Sequence, residues 1–344
     1  MFEALSFPLL VAIFMAASAT VWWAGTRLSR YASVIADRTG LGQAVVGVVL
    51  LGFATSLPEV ATTVTASVAG DAPMAVNNLL GGVAFQVVVL AVADLATGRG
   101  ALTALVPSPK MMLLALVSIV LLVVVALGVV VGDIELPLIS VGLFPLLVAG
   151  IYLGALWILR DPQSGAGWKP ARPAGPEDGG EESETLSNGK LALWTAGLGV
   201  AILAAGFALT RSAEGLAEQS GAGTAIFGLT LIAAATSLPE LSTTIAAVRM
   251  RKTELAIGDV LGGNMFDVTL ILLVDLVYTG GLALHAVDRS SLAAALIAVL
   301  LTSLVLYGLI ERRDRTVLRM GYDSVAILLV YLLGMGAIVA GLAG

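Results

Sequence analysis

Long apolar segments recur along this chain, and they limit its possible folds more than any other feature. A helix needs about 20 predominantly apolar residues to cross the hydrocarbon core of a bilayer. We expect helices because open sheet edges cannot satisfy their backbone groups in hydrocarbon. Ten stretches of the 344 residues are long enough, at positions 6–36, 42–68, 73–96, 111–131, 136–159, 190–219, 223–248, 253–279, 290–310 and 323–343. The sequence therefore predicts an all-α polytopic membrane protein with ten transmembrane helices.

The composition agrees with a membrane protein and excludes several other classes. Hydrophobic residues make up 58% of the chain and charged residues only 12%, a balance typical of membrane proteins. The net charge of −6 comes largely from one hydrophilic stretch and from segment ends, so it indicates no nucleic-acid partner. Because the sequence contains no cysteine, disulfides and thiol chemistry are excluded. The first expected partner is the lipid bilayer.

Basic residues predict the orientation of the spans, because Lys and Arg collect in cytoplasmic loops. If the N-terminus lies outside, the outer loops hold essentially only Arg289. The inner loops then hold Arg38, Arg99, Lys110, Arg160, Lys169, Arg172, Lys190, Arg249, Arg251, Lys252, Arg312, Arg313, Arg315 and Arg319. We therefore expect both termini to face outward, and the short loops favour the inner membrane of a bacterial cell.

One hydrophilic stretch interrupts the apolar pattern near the middle of the chain. It runs from Arg160 to Asn188 and is rich in Pro, Gly and acidic residues, which is typical of a linker. The predicted organisation is a first five-helix repeat at 1–159, a cytoplasmic linker at 160–189 and a second five-helix repeat at 190–344. A calcium-regulatory role for the linker acids is the alternative to a solvated tether.

The two halves of the chain align with each other. At an offset of 181 residues no gap is needed from Gly25 to Gln86, and the hexapeptide ATSLPE at 54–59 falls on the identical hexapeptide at 235–240. Because each half has an odd number of spans, the second half must enter the membrane the opposite way up. This is the pattern of an inverted-topology repeat, whose substrate sites lie near the bilayer midplane on interrupted helices.

The repeated hexapeptide predicts a break in the second and seventh helices. Pro58 and Pro239 each remove a backbone donor and clash with the preceding turn. Ser56 with Glu59 has the spacing of a capping box, as do their equivalents, so capping of the half-helices is the alternative role for the glutamates. A carboxylate at membrane depth is expensive, however, and is by default a candidate functional group.

The groups around each break would bind a hard cation. The break frees carbonyl oxygens near Ala54 and Ala235, and the glutamates supply charge. Hydroxyl oxygens come from Thr55, Ser56, Thr236 and Ser237. This set consists of oxygen alone, which suits Ca²⁺ or Na⁺, whereas Zn²⁺ or Cu²⁺ would favour His or Cys.

A second pair of segments is expected to join the same site. They are NNLLGGVAFQ at 77–86 and GDVLGGNMFD at 258–267. We expect the paired glycines to weaken or open the third and eighth helices, although small residues are also common in ordinary helix packing. The segments bring to membrane depth the polar side chains of Asn78, Gln86, Asp259, Asn264 and Asp267. The alignment of Asp267 with Gln86 favours a functional role.

The doubled TSLPE, followed in each half by a Gly-rich helix, resembles the cation/Ca²⁺ exchanger superfamily. The resemblance covers both halves and implies a ten-helix inverted repeat that works as a membrane antiporter. It implies central Ca²⁺ ligands at Glu59 and Glu240, and the family's Asn or Asp positions at Gln86 and Asp267. The flanking Na⁺ sites would receive oxygens from Thr55, Ser56, Thr236 and Ser237.

The chain also departs from the family pattern. Sodium-coupled members usually have G-S-N where this sequence has Gly81-Gly82-Val83 and Gly262-Gly263-Asn264. Two serine hydroxyls and one asparagine are therefore missing, and sodium coupling is an open question. Protons are the second candidate counter-ion, since the same carboxylates can bind them.

The sequence thus predicts a secondary antiporter that exchanges Ca²⁺ for Na⁺ or H⁺, with transported cations as its ligands and no resident cofactor. Three buried carboxylates would be prohibitively costly to move without compensating cations, which favours exchange over leak. The alternatives are a proton-coupled divalent-cation exchanger without sodium coupling, and a degenerate member that no longer transports. A membrane enzyme is disfavoured because no nucleophile or histidine set accompanies the acids.

Overall fold

The computed structural model describes residues 5–98, 100–106, 108–137, 140–160, 186–220, 232, 234–287 and 289–342. Most of the predicted linker lies outside the described residues, as does most of the first part of the predicted seventh span. The described part of the chain is predominantly helical.

Before the linker, the described residues form seven α-helices and one two-stranded hairpin. The helices are α1 (Phe7–Thr39), α2 (Gln43–Val46), α3 (Gly52–Thr55), α4 (Leu57–Val68), α5 (Ala72–Asp94), α6 (Lys110–Val131) and α7 (Leu143–Leu159). A π-helical turn joins α2 to α3 at Gly47–Leu51. Strands β1 (Glu135–Leu136) and β2 (Val141–Gly142) pair antiparallel, with Glu135 opposite Gly142.

After the linker, the described residues repeat this order of elements. The helices are α8 (Asn188–Ser220), α9 (Leu238–Arg249), α10 (Thr253–Val277), α11 (Arg289–Glu311) and α12 (Tyr322–Leu342). A second antiparallel hairpin, formed by β3 (Thr316–Val317) and β4 (Met320–Gly321), pairs Thr316 with Gly321. Residues 234–236 are helical and precede α9.

Six helices in the described part of the chain are long and apolar enough to cross a membrane, and the bent pair from Gln43 to Val68 raises the number to seven. Two shorter apolar helices, at Leu143–Leu159 and Tyr322–Ile338, accompany them. Helices α5 and α10 pack against each other at the centre, while α1 packs on α8 and α9. The central helices carry most of the buried apolar side chains.

The predicted break in the second span is present. The segments Gln43–Thr55 and Leu57–Val68 meet at an angle of 46°. Pro58 lies in the first turn of α4, where its missing N–H removes no hydrogen bond within the helix. The π-helical turn just before the break widens the helix, a distortion that is frequent at functional sites. In the second half, Ser237 forms a turn between helical residues 234–236 and α9.

The expectation that paired glycines open the third and eighth helices is wrong. Both α5 and α10 run unbroken through their glycines. The glycines of α10 instead allow a close approach to the second span: a Cβ added to Gly262 would lie 2.5 Å from Val48 Cα. On the other side, a Cβ on Gly52 would lie 2.6 Å from the backbone nitrogen of Gly263. Backbone contact at this distance explains why small residues are needed here.

Candidate functional site

The two predicted helix breaks carry two glutamates, and at neither break does the serine side chain cap the half-helix. Ser56 precedes α4 with φ −80° and ψ 3°, and Ser237 precedes α9 with φ −92° and ψ 7°. Neither serine makes a side-chain capping hydrogen bond. The capping-box alternative is therefore not realised, and Glu59 and Glu240 must be explained in another way.

Three acids are buried together at the centre of the protein. Glu59 is 4% exposed, Glu240 0% and Asp267 1%. Glu59 and Glu240 repel each other, and both also repel Asp267. None of the three forms an ion pair with Lys or Arg among the described residues. Because burial of like charges without a counter-charge is unfavourable, the arrangement requires compensating cations or protons.

Gln86 links the two halves at this point. Its Nε2 donates a hydrogen bond to Asp267 Oδ2 at 2.7 Å. The two residues are 181 positions apart, which is the offset that aligns the halves. Gln86 and Asp267 are therefore equivalent positions of the two halves that contact each other. A contact between equivalent positions must lie close to the symmetry axis that relates the halves.

Several buried polar atoms around these acids have no hydrogen-bond partner in the described part of the chain. They are Ser56 Oγ, Glu59 Oε2, Gln86 Oε1, Asp267 Oδ1, both carboxylate oxygens of Glu240 and both side-chain polar atoms of Asn264. Buried polar atoms normally have partners, so a group of exceptions needs an explanation. Seven of these eight atoms are oxygens, which are the ligands of hard cations.

The predicted hydroxyl ligands have different surroundings. Thr55 Oγ1 donates to the backbone oxygen of Leu51 at 3.0 Å, inside its own helix. Thr236 and Ser237 are buried, as are Thr55 and Ser56. The Ser56 hydroxyl is thus the one of the four that the structure records among the unpartnered oxygens. The Thr55 hydroxyl can turn toward a ligand only by giving up its hydrogen bond to Leu51.

Asp259 is a fourth buried acid that the sequence analysis placed at membrane depth without assigning it to the site. Its Oδ2 accepts hydrogen bonds from Thr243 and, at 3.2 Å, from Thr244. At the equivalent place in the first half, Asn78 Nδ2 donates to Thr62 Oγ1 at 3.4 Å. The hydrogen bonds of Asp259 thus connect α10 to α9, and the hydrogen bond of Asn78 connects α5 to α4. An ionisable residue inside an apolar span was the available signal.

The two glycines that replace family serines have unequal surroundings. A Cβ on Gly263 would lie 3.3 Å from Gln86 Oε1 and 3.6 Å from Ser56 Oγ. A Cβ on Gly82 would meet nothing within 4 Å. The Gln86 amide thus fills the space beside Gly263, whereas the space beside Gly82 is open.

No three Asp, Glu or His side chains converge closely enough to enclose a metal ion in the parts of the chain that the structure describes. A cation held between these acids would therefore need neutral oxygens as well, and the Ser56 hydroxyl and Gln86 amide are adjacent. Ca²⁺ commonly combines carboxylate with carbonyl and hydroxyl oxygens.

Comparison with known proteins identifies the relatives of this chain. It is 30% identical over 304 residues to the inner membrane protein YrbG of Escherichia coli (strain K12), covering 86% of each chain. It is also 27% identical over 298 residues to the putative antiporter CaxA of Alkalimonas amylolytica, covering 85% of this chain and 89% of that protein. Together with its apolar helices, these similarities indicate an integral membrane protein.

The fold is shared with a sodium-calcium exchanger of known structure. NCX_Mj soaked with Na⁺ and Sr²⁺ superimposes with a TM-score of 0.71 and 17% identity, covering 96% of this chain and 99% of that one. Family and fold are those of exchangers rather than of catalytic enzymes. The family model described as sodium/calcium exchanger protein matches residues 9–159 and 190–339. With both halves matched, this chain belongs to the sodium/calcium exchanger protein family.

Proposed function

We propose that the protein is a secondary active antiporter, and not an enzyme, that exchanges Ca²⁺ for Na⁺ or H⁺ by alternating access. The transported cations are its only ligands, and it has no resident cofactor. Its site comprises Glu59, Glu240, Asp267 and Gln86, with hydroxyl oxygens from Thr55, Ser56, Thr236 and Ser237.

One observation carries this proposal: two buried glutamates at equivalent helix breaks present unpartnered oxygens beside a third buried acid. A structural role would leave these acids hydrogen-bonded or paired with a base, because an unpartnered buried charge is costly. A site that binds different cations in turn requires oxygens that are not already hydrogen-bonded to donors within the protein.

The architecture proposed for this function is ten spans in two inverted repeats of five, joined by a cytoplasmic linker at 160–189. The contact between Gln86 and its own equivalent Asp267 supports a symmetry axis between the repeats. With opposite orientation of the halves, the breaks at Ser56 and Ser237 meet near the bilayer midplane. The proposed location is the bacterial inner membrane, with both termini outside.

Charge balance favours exchange over one-way movement. Glu59, Glu240 and Asp267 carry up to three negative charges. An occluded conformation with an empty site would therefore have a high free energy. One Ca²⁺, or several monovalent cations, brings the site close to neutrality. Conformational switching therefore requires a bound cation in each direction, which is the condition for antiport.

The identity of the coupling ion, Na⁺ or H⁺, depends on the oxygens available around the site. The open space beside Gly82 lacks the hydroxyl that a serine would supply, and fewer fixed oxygens disfavour a dedicated Na⁺ site. This observation favours the second candidate function, a proton-coupled divalent-cation exchanger without sodium coupling. Water in the same space would supply the missing oxygen and permit sodium coupling.

The decisive experiment is Ca²⁺ uptake into proteoliposomes containing calcium-free buffer. Outward Na⁺ and outward H⁺ gradients are imposed in parallel, with Glu59→Gln protein as the control. We expect uptake by the wild type under at least one gradient, and none by the variant under either.

Three outcomes separate the candidate functions. Uptake driven by sodium alone identifies a sodium-coupled exchanger, and uptake driven by protons alone identifies the proton-coupled alternative. Absence of flux under both gradients contradicts antiport and leaves the degenerate, non-transporting member of the fold.

A further inference from the structure

The two central helices that carry Gln86 and Asp267 both end in a buried aspartate. Asp94 is the last residue of α5 and Asp275 lies two residues before the end of α10. Each follows its site residue by eight positions, and the two are equivalent at the 181-residue offset. Neither belongs to the proposed cation site, and neither is explained by it.

Asp94 ties the end of α5 to the opposite half of the chain. Its Oδ1 accepts the backbone N–H of Leu102 at 2.7 Å, in the loop that follows the same helix. Its Oδ2 accepts the backbone N–H of Gly321 at 2.6 Å. Gly321 belongs to the hairpin before α12, so one carboxylate joins α5 to the second half.

Asp275 makes the reciprocal connection. Its Oδ1 accepts the N–H of Ala283 at 2.6 Å, and its Oδ2 accepts the N–H of Gly142 at 2.8 Å. Gly142 belongs to the hairpin before α7. We call each arrangement a carboxylate latch: the first consists of Asp94, Leu102 and Gly321, and the second of Asp275, Ala283 and Gly142. Hydrogen bonds that involve a charged acceptor are about twice as strong as neutral ones.

A second acid packs over the glycine of each latch. A Cβ on Gly142 would collide with the carboxylate of Asp133 and lie 2.9 Å from Asp275 Oδ2. A Cβ on Gly321 would collide with Asp323 and lie 3.2 Å from Asp94 Oδ2. Both latches therefore require glycine at the hairpin position, because a methyl group would separate the donor from its carboxylate.

These second acids also hold the hairpins in place. Asp133 Oδ1 accepts the N–H groups of Ile134 at 2.8 Å and Phe144 at 3.1 Å, at the two ends of the first hairpin. Thr103 donates to Asp323 Oδ2 at 2.7 Å. Asp133 and Asp323 are not equivalent by sequence, yet each lies over the latch glycine of its own hairpin. A rigid hairpin gives each latch a fixed anchor.

We propose that Asp94 and Asp275 are positioning residues for the cation site. Each latch fixes the axial position of its helix against the other half, so together they set how Gln86 and Asp267 meet. Each aspartate is eight positions from its site residue along one helix, a distance of about 12 Å at 1.5 Å per residue, and the helix between them transmits any axial shift. A displacement of about 1 Å at a binding site is enough to impair its function. The proposal rests on the function proposed above.

The test uses two kinds of variant at each latch. Asp94→Asn keeps the shape of the side chain but replaces one carboxylate oxygen with an NH₂ group. Because this group cannot accept a hydrogen bond, one of the two backbone N–H donors loses its partner. Gly321→Ala leaves the carboxylate intact and displaces its partner. Asp275→Asn and Gly142→Ala are the matched pair in the other half. Gly150→Ala is the control, because a Cβ there meets nothing within 4 Å.

We measure KM and kcat for Ca²⁺ uptake in proteoliposomes together with hydrogen exchange at the Gly321 and Gly142 amides. All four latch variants should raise KM by at least about twofold, the lower limit of coupling within one network. The Gly150→Ala protein should match the wild type. Faster amide exchange with an unchanged KM would overturn the proposal, since the latch would then be broken without effect on the site.

A double-mutant cycle separates positioning from general destabilisation. Gln86→Leu removes the bridge through which the Asp94 latch is proposed to act. Adding Asp94→Asn should then raise KM little further, whereas an equal increase in both backgrounds contradicts action through the bridge. Absence of Ca²⁺ flux in the wild type would instead count against the proposed function, so the two failures are distinguishable.

Discussion

Glu240 illustrates the chemistry of single residues in this protein. Both of its carboxylate oxygens are buried and have no partner in the described part of the chain. It is repelled by Glu59, Asp267 and Asp259. Such a residue destabilises the empty protein and contributes favourably only when a cation is bound. Ligand binding to the native state alone then appears as thermal stabilisation.

Glu240→Gln should remove this cation response. For a native-state ligand at a hundredfold its Kd, stabilisation is about 2.7 kcal/mol, and we expect the wild type to show a shift of this order with Ca²⁺. The variant should show none, while its melting temperature without Ca²⁺ should rise because repulsion is relieved. Differential scanning fluorimetry measures both values. Glu218→Gln, at an exposed acid, should behave as the wild type; a full Ca²⁺ shift in Glu240→Gln would contradict the assigned site.

The glycines at 82 and 263 should respond differently to the same substitution. Gly82→Ser adds a hydroxyl where a Cβ meets nothing within 4 Å, so we expect normal folding and stronger Na⁺ competition with Ca²⁺ uptake. Gly263→Ser should displace the Gln86 amide and weaken Ca²⁺ uptake. The measurement is Ca²⁺ uptake at increasing Na⁺. Equal effects of the two substitutions would contradict the unequal packing.

At the scale of elements, the long helices α1 and α8 each pack on a half-helix of the other half. A Cβ on Gly206 of α8 would lie 2.5 Å from Pro58 Cγ in α4. Its equivalent, Gly25 of α1, faces Ser242 and Thr243 of α9, where a Cβ would collide with the Ser242 hydroxyl. Pro58 in the first turn of α4 and Ser242 in α9 therefore each lie against a glycine of the long helix from the other half, so a shift of either long helix would also move a half-helix that carries a site glutamate.

Gly206→Ala should destabilise the protein by forcing α8 away from Pro58. Overpacking of this kind typically costs about 1–3 kcal/mol. The matched control is Gly197→Ala on the same helix, where a Cβ meets nothing within 4 Å and alanine improves helix propensity. Thermal unfolding in detergent compares the two. A Gly206→Ala protein as stable as Gly197→Ala would show that α8 tolerates the displacement.

At the scale of the whole molecule, the orientation of the chain is a prediction from the distribution of basic residues. The absence of native cysteine allows single cysteines to report it directly. Gly179→Cys lies in the predicted cytoplasmic linker, and Thr279→Cys lies in the exposed segment after α10.

A membrane-impermeant maleimide should label intact cells at only one of these two positions. We expect Thr279→Cys to react from outside and Gly179→Cys only after permeabilisation, because Lys and Arg are retained in the cytoplasm. The cysteine-free wild type is the control for background labelling. The reverse pattern would invert the predicted topology, and labelling of both from outside would contradict the number of spans between them.

Local chemistry explains what the sequence alone could determine. Apolar length predicted ten spans, and the described residues contain six helices of sufficient length, or seven with the bent pair. Pro58 predicted the bend at Ser56, because a missing backbone donor acts wherever the residue lies. The offset of 181 residues identified which positions are equivalent. These effects depend on neighbours along the chain, so no tertiary information was needed to find them.

The tertiary structure decided which of these groups meet. Paired glycines were predicted to open α5 and α10, yet both helices are continuous. The glycines of α10 instead permit close backbone packing against the second span. The Gln86–Asp267 hydrogen bond and the latches at Asp94 and Asp275 join residues far apart in the chain. Such contacts depend on how helices approach in space, and no local pattern specifies that approach.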